Sequence, residues 1–149
     1  MKPSSDVVIR PWQTEDAWTV HACFVATYMD EPWNETWSLD SAEKYLAELH
    51  EMPRSTVLVA EVNGEVRGAT YLRARTWQDC SEFHIGALFV HPAWQKRGIG
   101  REMVNAIRSQ ATAESIVNIL LLTDRRMPAI EFCHKVGFSE DSWLAVMVS

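Results

Sequence analysis

From residue 7 onward the spacing of apolar positions switches repeatedly between two residues and three to four, and the switches fall at turn-forming or capping residues. "VVIRPW" (7–12) reads as a short strand stopped by Pro11. Thr14 then suits a helix cap, with Glu15 and Asp16 favourable in the first turn. Ala17, Val20, Phe24 and Tyr28 form the helical stripe that follows. A polar, Trp-rich connector broken by Pro32, "MDEPWNETWS" (29–38), leads to a second helix. Asp40 with Glu43 gives a capping-box pattern there, and Ala42, Tyr45, Leu46 and Leu49 share one face, with Pro53 ending the helix. Two β-rich runs flank Asn63-Gly64, the dipeptide that suits a type I′ hairpin turn. "EFHIGALFV" (82–90) is a further strand closed by His91-Pro92. A glycine-containing stretch and a helix to about Ala113 follow, with Ile99, Met103, Ala106, Ile107 and Ala111 apolar. "VNILLLT" (117–123) reads as a buried strand. Pro128 opens a short helix through Val136 that Gly137 stops, and "SWLAVMVS" (142–149) reads as a final strand. The order is β-αα-ββ-β-α-β-α-β in one domain, 1–149, without repeats or an internal linker.

The stretch "WQKRGIGREM" (94–103) gathers Lys96, Arg97 and Arg101 around Gly98 and Gly100. It lacks the Lys-Ser/Thr pair of a P-loop and the third glycine of a dinucleotide fingerprint. A third reading fits better. Backbone N–H groups of a short turn, backed by the positive end of a helix, face a pyrophosphate. Gly98 and Gly100 would allow close backbone approach, and the basic side chains would stand at the rim. An ordinary loop and helix start is the plainer alternative.

Taken with its flanks, "LFVHPAWQKRGIGREMV" resembles the Q/R-x-x-G-x-G/A signature of the GNAT-family N-acetyltransferases, with Gln95, Gly98 and Gly100 at its fixed places. "PAIEFCHKVGF" is similar to the family's A-x-x-F-Y-x-K-x-G-F run at Ala129, Phe132, Lys135, Gly137 and Phe138. The element order agrees from about residue 7 to the end. The resemblance implies the α/β (α+β) acyl-CoA N-acyltransferase fold, a central mixed, mostly antiparallel sheet flanked by about four helices. It implies acetyl-CoA as cosubstrate, no metal, and transfer of the acetyl group to an amine. The pyrophosphate would rest on the backbone of Lys96, Arg97, Gly98, Ile99, Gly100 and Arg101. The pantetheine arm would pair with the strand ending at Phe89 and Val90, where that strand splays from 117–123.

An alkyl ammonium has a pKa near 10, so a base must act on it. Several relatives carry a carboxylate eleven residues before the opening Gln/Arg, and here that position is His84. Histidine titrates near neutrality and can serve; a strand histidine bonded to a backbone carbonyl is the alternative. Glu82 is a second candidate, against a solvated edge carboxylate. The family's usual acid, the tyrosine of F-Y-x-K, is replaced by Cys133. A thiol can protonate a thiolate, but Cys133 also falls on the apolar face of its helix, where a small buried cysteine is common. Arg126 stands where many relatives carry asparagine. Arg125 and Arg126 are either coenzyme or acceptor ligands, or a solvated pair.

Composition narrows the partners. Net charge is −6, with pI about 5.3 over 149 residues, which disfavours nucleic acid. No run reaches the roughly 18 apolar residues of a membrane span, and "MKPSSDVVIR" lacks the apolar core of a leader. Cys23, Cys80 and Cys133 read as free thiols in the cytoplasm. The connector sets Asp30, Glu31, Glu35 and Asp40 beside Trp33 and Trp37, a composition that suits a cationic ligand or, more plainly, a solvated loop whose tryptophans cover the core. The expected acceptor is a small-molecule amine such as an aminoglycoside, polyamine or amino-acid derivative. A protein N-terminus or lysine, and a coenzyme-binding sensor with little catalysis, remain the alternatives. A homodimer is left open.

Overall fold

The structure, a computed structural model, describes residues 6–149; residues 1–5, read above for a leader, lie outside the described residues. Its elements are β1 (Val7–Pro11), α1 (Ala17–Met29), α2 (Leu39–His50), β2 (Ser55–Val62), β3 (Glu65–Trp77), β4 (Cys80–Val90), α3 (Ile99–Ala113), β5 (Ile116–Leu121) and α4 (Ala129–Lys135), with 3-10 turns at Thr14–Asp16 and Pro92–Trp94. The sheet runs β1-β2-β3-β4-β5, antiparallel except for the parallel β4–β5 pair.

The expected turn between β2 and β3 is present. Asn63 (φ 52°) and Gly64 (φ 81°) both adopt the left-handed conformation that a type I′ turn needs. The start of α2 differs in detail from the sequence reading. Ser38, not Asp40, is its N-cap: the Ser38 hydroxyl accepts from the Ser41 N–H at 3.0 Å, and the Ser41 hydroxyl accepts from the Ser38 N–H at 3.0 Å. Hydroxyls at both ends close the same reciprocal ring that an acidic residue at the second place would close.

One apolar cluster packs α1 and α2 on one face of the sheet through Val20, Phe24, Leu46, Tyr71 and Phe89. Two more pack α3 on the other face, one around Leu72, Phe83 and Ile107 and one around Ile99 and Met103. The final strand expected at 142–149 does not form. Asp141 accepts hydrogen bonds from the N–H groups of Trp143 (2.6 Å) and Leu144 (2.8 Å), turning the chain at its base, and 142–149 has no ladder partner. In consequence β5 is an edge strand rather than a buried one, with Val117 63% exposed.

The chain start is tied down electrostatically. Arg10 bridges the buried Asp16 (2.8 and 2.9 Å) and Glu61 (2.9 Å), and the Gln13 N–H donates to the same Asp16 carboxylate at 2.8 Å. Hydrogen bonds from Arg10 hold the Asp16 carboxyl below its usual range against the opposing effect of burial. A carboxyl depressed in the folded state contributes its stability above the unfolded pKa and loses it as pH falls through the folded value. Asp16→Asn should therefore lower stability in urea unfolding by about 2 kcal/mol at neutral pH. Its deficit should shrink once pH drops below about 4.

Candidate active site

Two irregularities in β4 shape the site. The register with β3 passes from Tyr71↔Ala87 to Leu72↔Ile85, so Gly86 is an extra, bulged residue. The bulge shifts the alternation of side chains. Glu82 and His84 before it, and Ala87 and Phe89 after it, all face the α1/α2 side. A Cβ on Gly86 would lie 2.9 Å from Leu49 of α2, so glycine allows the helix to close over the bulge. The second irregularity is the parting of strands: β4 and β5 pair only as far as Ile85↔Leu121, leaving residues 86–90 without a β5 partner.

Side chains partly cover that open edge. The Leu88 carbonyl accepts from the Tyr28 hydroxyl at 3.4 Å. The Val90 carbonyl accepts from Thr27 Oγ1 at 3.2 Å and from Gln95 Nε2 at 3.0 Å. Strand alternation aims the Leu88 and Val90 N–H groups the same way as their carbonyls. The Phe89 side chain, by contrast, is buried in the α1/α2 core. Gln95 thus clips the start of the glycine loop to the end of β4. In that loop Lys96 (φ 62°) and Gly98 (φ 86°) are left-handed. Gly98 is the N-cap of α3 and supplies no side-chain cap, so backbone donors of the first turn are not taken by a capping side chain. Lys96, Arg97 and Arg101 are exposed. Arg97 lies 4.6 Å from the centre of the Trp94 ring, and Arg67 lies at the same 4.6 Å. The tryptophan is clasped by two guanidinium groups, which fixes the loop to β3. The space that a Cβ on Gly100 would take is filled by Phe132 of α4, whose Cζ would lie 2.9 Å away.

An open cleft of about 1130 Å³ runs along the parted strands, lined among others by Tyr45 and Leu49 of α2, His84, Leu120 and Cys133. His84 Nε2 is 3.2 Å from Glu82 Oε1, and the same oxygen accepts from Arg75 at 3.3 Å. Glu82 is buried rather than solvated, and His84 is partly exposed to the cleft. Burial pushes the Cys133 thiol upward, so it is protonated at neutral pH. Arg73, opposite His84 in the ladder, also lines the cleft and has no hydrogen-bond or ion-pair partner among the described residues. The sequence reading passed over it because its position opposite His84 depends on the register that the bulge sets.

The acidic connector is elsewhere. Trp33 packs on Tyr28 (5.3 Å between ring centres), and Trp37 packs on Phe24 (4.9 Å) and Tyr45 (5.3 Å). Glu35 accepts from the Trp37 indole at 2.8 Å. Asp30, Glu31 and Glu35 are exposed, and none of the connector residues lines the cleft; Tyr45 is the link between the two. Arg125 pairs with Glu140 at 2.9 Å, and Arg126 makes a two-pronged pair with Asp124 (2.9 and 2.7 Å) that holds that carboxyl down to about 2. Among the described residues no group of three or more His, Cys, Asp or Glu is placed to hold a metal ion, and no helix is long and apolar enough to cross a membrane.

The sequence model of the Acetyltransferase (GNAT) family covers residues 14–138. The chain belongs to the GNAT family of acetyltransferases. No curated protein matches it. Solved structures share its fold at low identity. A GNAT family acetyltransferase from Staphylococcus aureus is 14% identical, covers 96% of this chain and 99% of its own, and has a TM-score of 0.72. An aminoglycoside acetyltransferase from an uncultured soil metagenomic sample, in complex with sisomicin, is 16% identical over 98% of this chain and 97% of its own, with a TM-score of 0.74. A ribosomal-protein-alanine N-acetyltransferase from Brucella melitensis is 15% identical over 96% and 98%, with a TM-score of 0.72.

The loop geometry has a direct consequence for stability. Gly98→Val puts a β-branched side chain in a left-handed position and should cost about 1–3 kcal/mol in urea unfolding. Gly100→Ala, with φ outside that region, should destabilise through displacement of the Phe132 ring. An unchanged midpoint in both variants would contradict this account of the loop.

Proposed function

We propose that this GNAT chain transfers the acetyl group of acetyl-CoA to a primary amine of a small molecule. The observation that carries the reading is a cleft that has His84 and Cys133 in its lining and reaches Gly86, where the open edge of β4 begins. The N–H groups of Leu88 and Val90 suit an extended, amide-bearing pantetheine arm read as an added strand along β4. The backbone of residues 96–101 suits the pyrophosphate, with Lys96 and Arg101 at the rim and Arg97 braced on Trp94.

Acetyl-CoA supplies the activated thioester; the chain supplies proton handling and position. Glu82 accepts the His84 Nε2 hydrogen, which leaves Nδ1 as the basic nitrogen for the acceptor ammonium. The amine nitrogen forms its bond to the acetyl carbon as the carbon–sulfur bond breaks. His84 takes one proton from the ammonium before attack, and the second leaves nitrogen as the amide forms. In this reading the Cys133 thiol, protonated at neutral pH and part of the cleft lining, gives its proton to the CoA sulfur and is restored by that second nitrogen proton. A CoA thiolate is a stable enough leaving group for water to substitute.

The acceptor follows from charge. A half-buried guanidinium without a partner favours a ligand that completes it, so Arg73 fits an amine that also carries a carboxylate or phosphate. Among the classes expected, an amino-acid derivative meets this best. The acidic, Trp-bearing connector (Asp30, Glu31, Trp33, Glu35, Trp37) offers a longer cationic acceptor contacts only outside the cleft. Three free cysteines agree with a cytoplasmic enzyme.

Thiol release on an amine panel tests the reading. His84→Ala should lower kcat by about 10²-fold or more with CoA affinity retained, and Cys133→Ala by less than about tenfold. Arg73→Ala should raise KM for acid-bearing amines and leave CoA affinity unchanged. CoA binding with no thiol release on any amine would overturn the enzyme reading and favour a coenzyme sensor.

A further inference from the structure

The Glu82 side chain is only 9% exposed, and a buried carboxylate is costly as an anion unless it is paired. Two side chains meet the same oxygen, Oε1: Arg75 Nη2 at 3.3 Å and His84 Nε2 at 3.2 Å. They are its only hydrogen-bond or ion-pair partners among the described residues. The two are not equivalent. A guanidinium is charged at every working pH. Histidine serves as a counter-ion only as imidazolium, and then Nδ1 also carries a hydrogen and can accept none. With Arg75 in place, Glu82 has its cation without calling on His84. The ladder sets this arrangement: Arg75 lies directly across from Glu82, and Arg73 directly across from His84, so both guanidinium groups oppose a charge on the ring. Arg75 is braced in turn, with Cζ 5.9 Å from the centre of the Trp77 ring. Its Nε is buried without a hydrogen-bond partner, a cost that the charge contact with Glu82 offsets.

Other charged groups have other partners. On β5, Asn118 and Leu120 lie across from Glu82 and His84 and are uncharged. Arg54 donates to Thr76 and Ser81, which alternate with Arg75 and Glu82 and so point to the opposite face of the sheet. On the rest of the cleft lining Arg125 pairs with Glu140, and Asp141 accepts from the Trp143 and Leu144 N–H groups. Tyr45, Tyr71, Cys133 and His134 make no hydrogen bond to the Glu82–His84 pair among the described residues. We propose that Arg75 is a positioning residue for acetyl transfer: by holding Glu82 as a paired anion, it lowers the pH at which His84 becomes a neutral base with Nδ1 open to the acceptor's proton. The proposal rests on the reading of His84 as the base. Loss of the Arg75 charge leaves the Glu82–His84 pair one cation short, and the pair then keeps a proton to higher pH, whichever of the two residues holds it. In either form Nδ1 is not free: it carries a hydrogen in imidazolium, and a protonated Glu82 donates to Nε2 and leaves the ring hydrogen on Nδ1.

NMR of the His84 ring against pH, on the full chain without ligands, gives the first readout; His84→Ala identifies its signal among the five histidines. Arg75→Gln should raise the titration midpoint by about 0.5–1 pH unit, the guanidinium being 42% exposed and partly screened by solvent. Arg75→Lys keeps the charge and should return most of that shift. Glu82→Gln removes the anion and should lower the midpoint instead. The acid limb of kcat/KM, which reports the free enzyme, should move with the midpoint in each variant. Loosened packing does not produce shifts of opposite sign at Arg75 and Glu82. An unmoved or lowered midpoint in Arg75→Gln would overturn the proposal, and so would Arg75→Lys behaving as Arg75→Gln does. Full turnover in His84→Ala would overturn the base reading beneath it, so the two failures are read in different variants.

Discussion

A backbone that leaves a sheet must find other partners for its N–H and C=O groups, and the last five residues of β4 live under that constraint. β5 parts from β4 after Ile85, and the released edge is held by Tyr28, Thr27 and Gln95. The rest of the site is arranged around this gap. α1 supplies the two hydroxyls that cap its carbonyls, and the loop into α3 is clipped to its end by Gln95. The Gly86 bulge turns Glu82 and His84 toward the α1/α2 side, along with Phe89, despite the change of parity between them. A regular β4 would keep its ladder with β3 but would set His84 and Phe89 on opposite faces.

Charge is distributed to suit this division. The chain is acidic overall, yet the exposed basic groups at 96–101 surround the helix start, and Arg73 and Arg75 flank the Glu82–His84 pair in the ladder. Arg75 is engaged by Glu82, whereas Arg73 is not. The tryptophans divide in a similar way. Trp94 braces the loop between two arginines, Trp33 and Trp37 cover the α1/α2 core, and Trp143 stands in solvent on the unpaired C-terminal segment.

Much of the fold was legible because local chemistry and tertiary structure agree. Asn63-Gly64, the stripe from Ile99 to Ala111 and Gly137 each specify their element within a few residues. Gln95, Gly98 and Gly100 placed the loop for the same reason. What the sequence hid depends on long-range register. The bulge at Gly86 decides that Arg73 meets His84 across the ladder, and no short-range signal announces it. The acidic connector suggested an acceptor site by composition, but Trp33 and Trp37 turn inward to aromatic partners that are neighbours only in the fold. The final strand expected at 142–149 does not form: its composition suits a strand, but a strand also needs an edge to join, and the Asp141 turn holds this segment away from β5.

The central claim is that the parted end of β4 and the loop into α3 form one coenzyme seat. Amide hydrogen exchange with and without acetyl-CoA reads that directly. Slowed exchange at Leu88 and Val90 together with residues 96–101 is the predicted result. Acetyl-CoA binding that protects neither segment, or protects only the acidic connector, would contradict it.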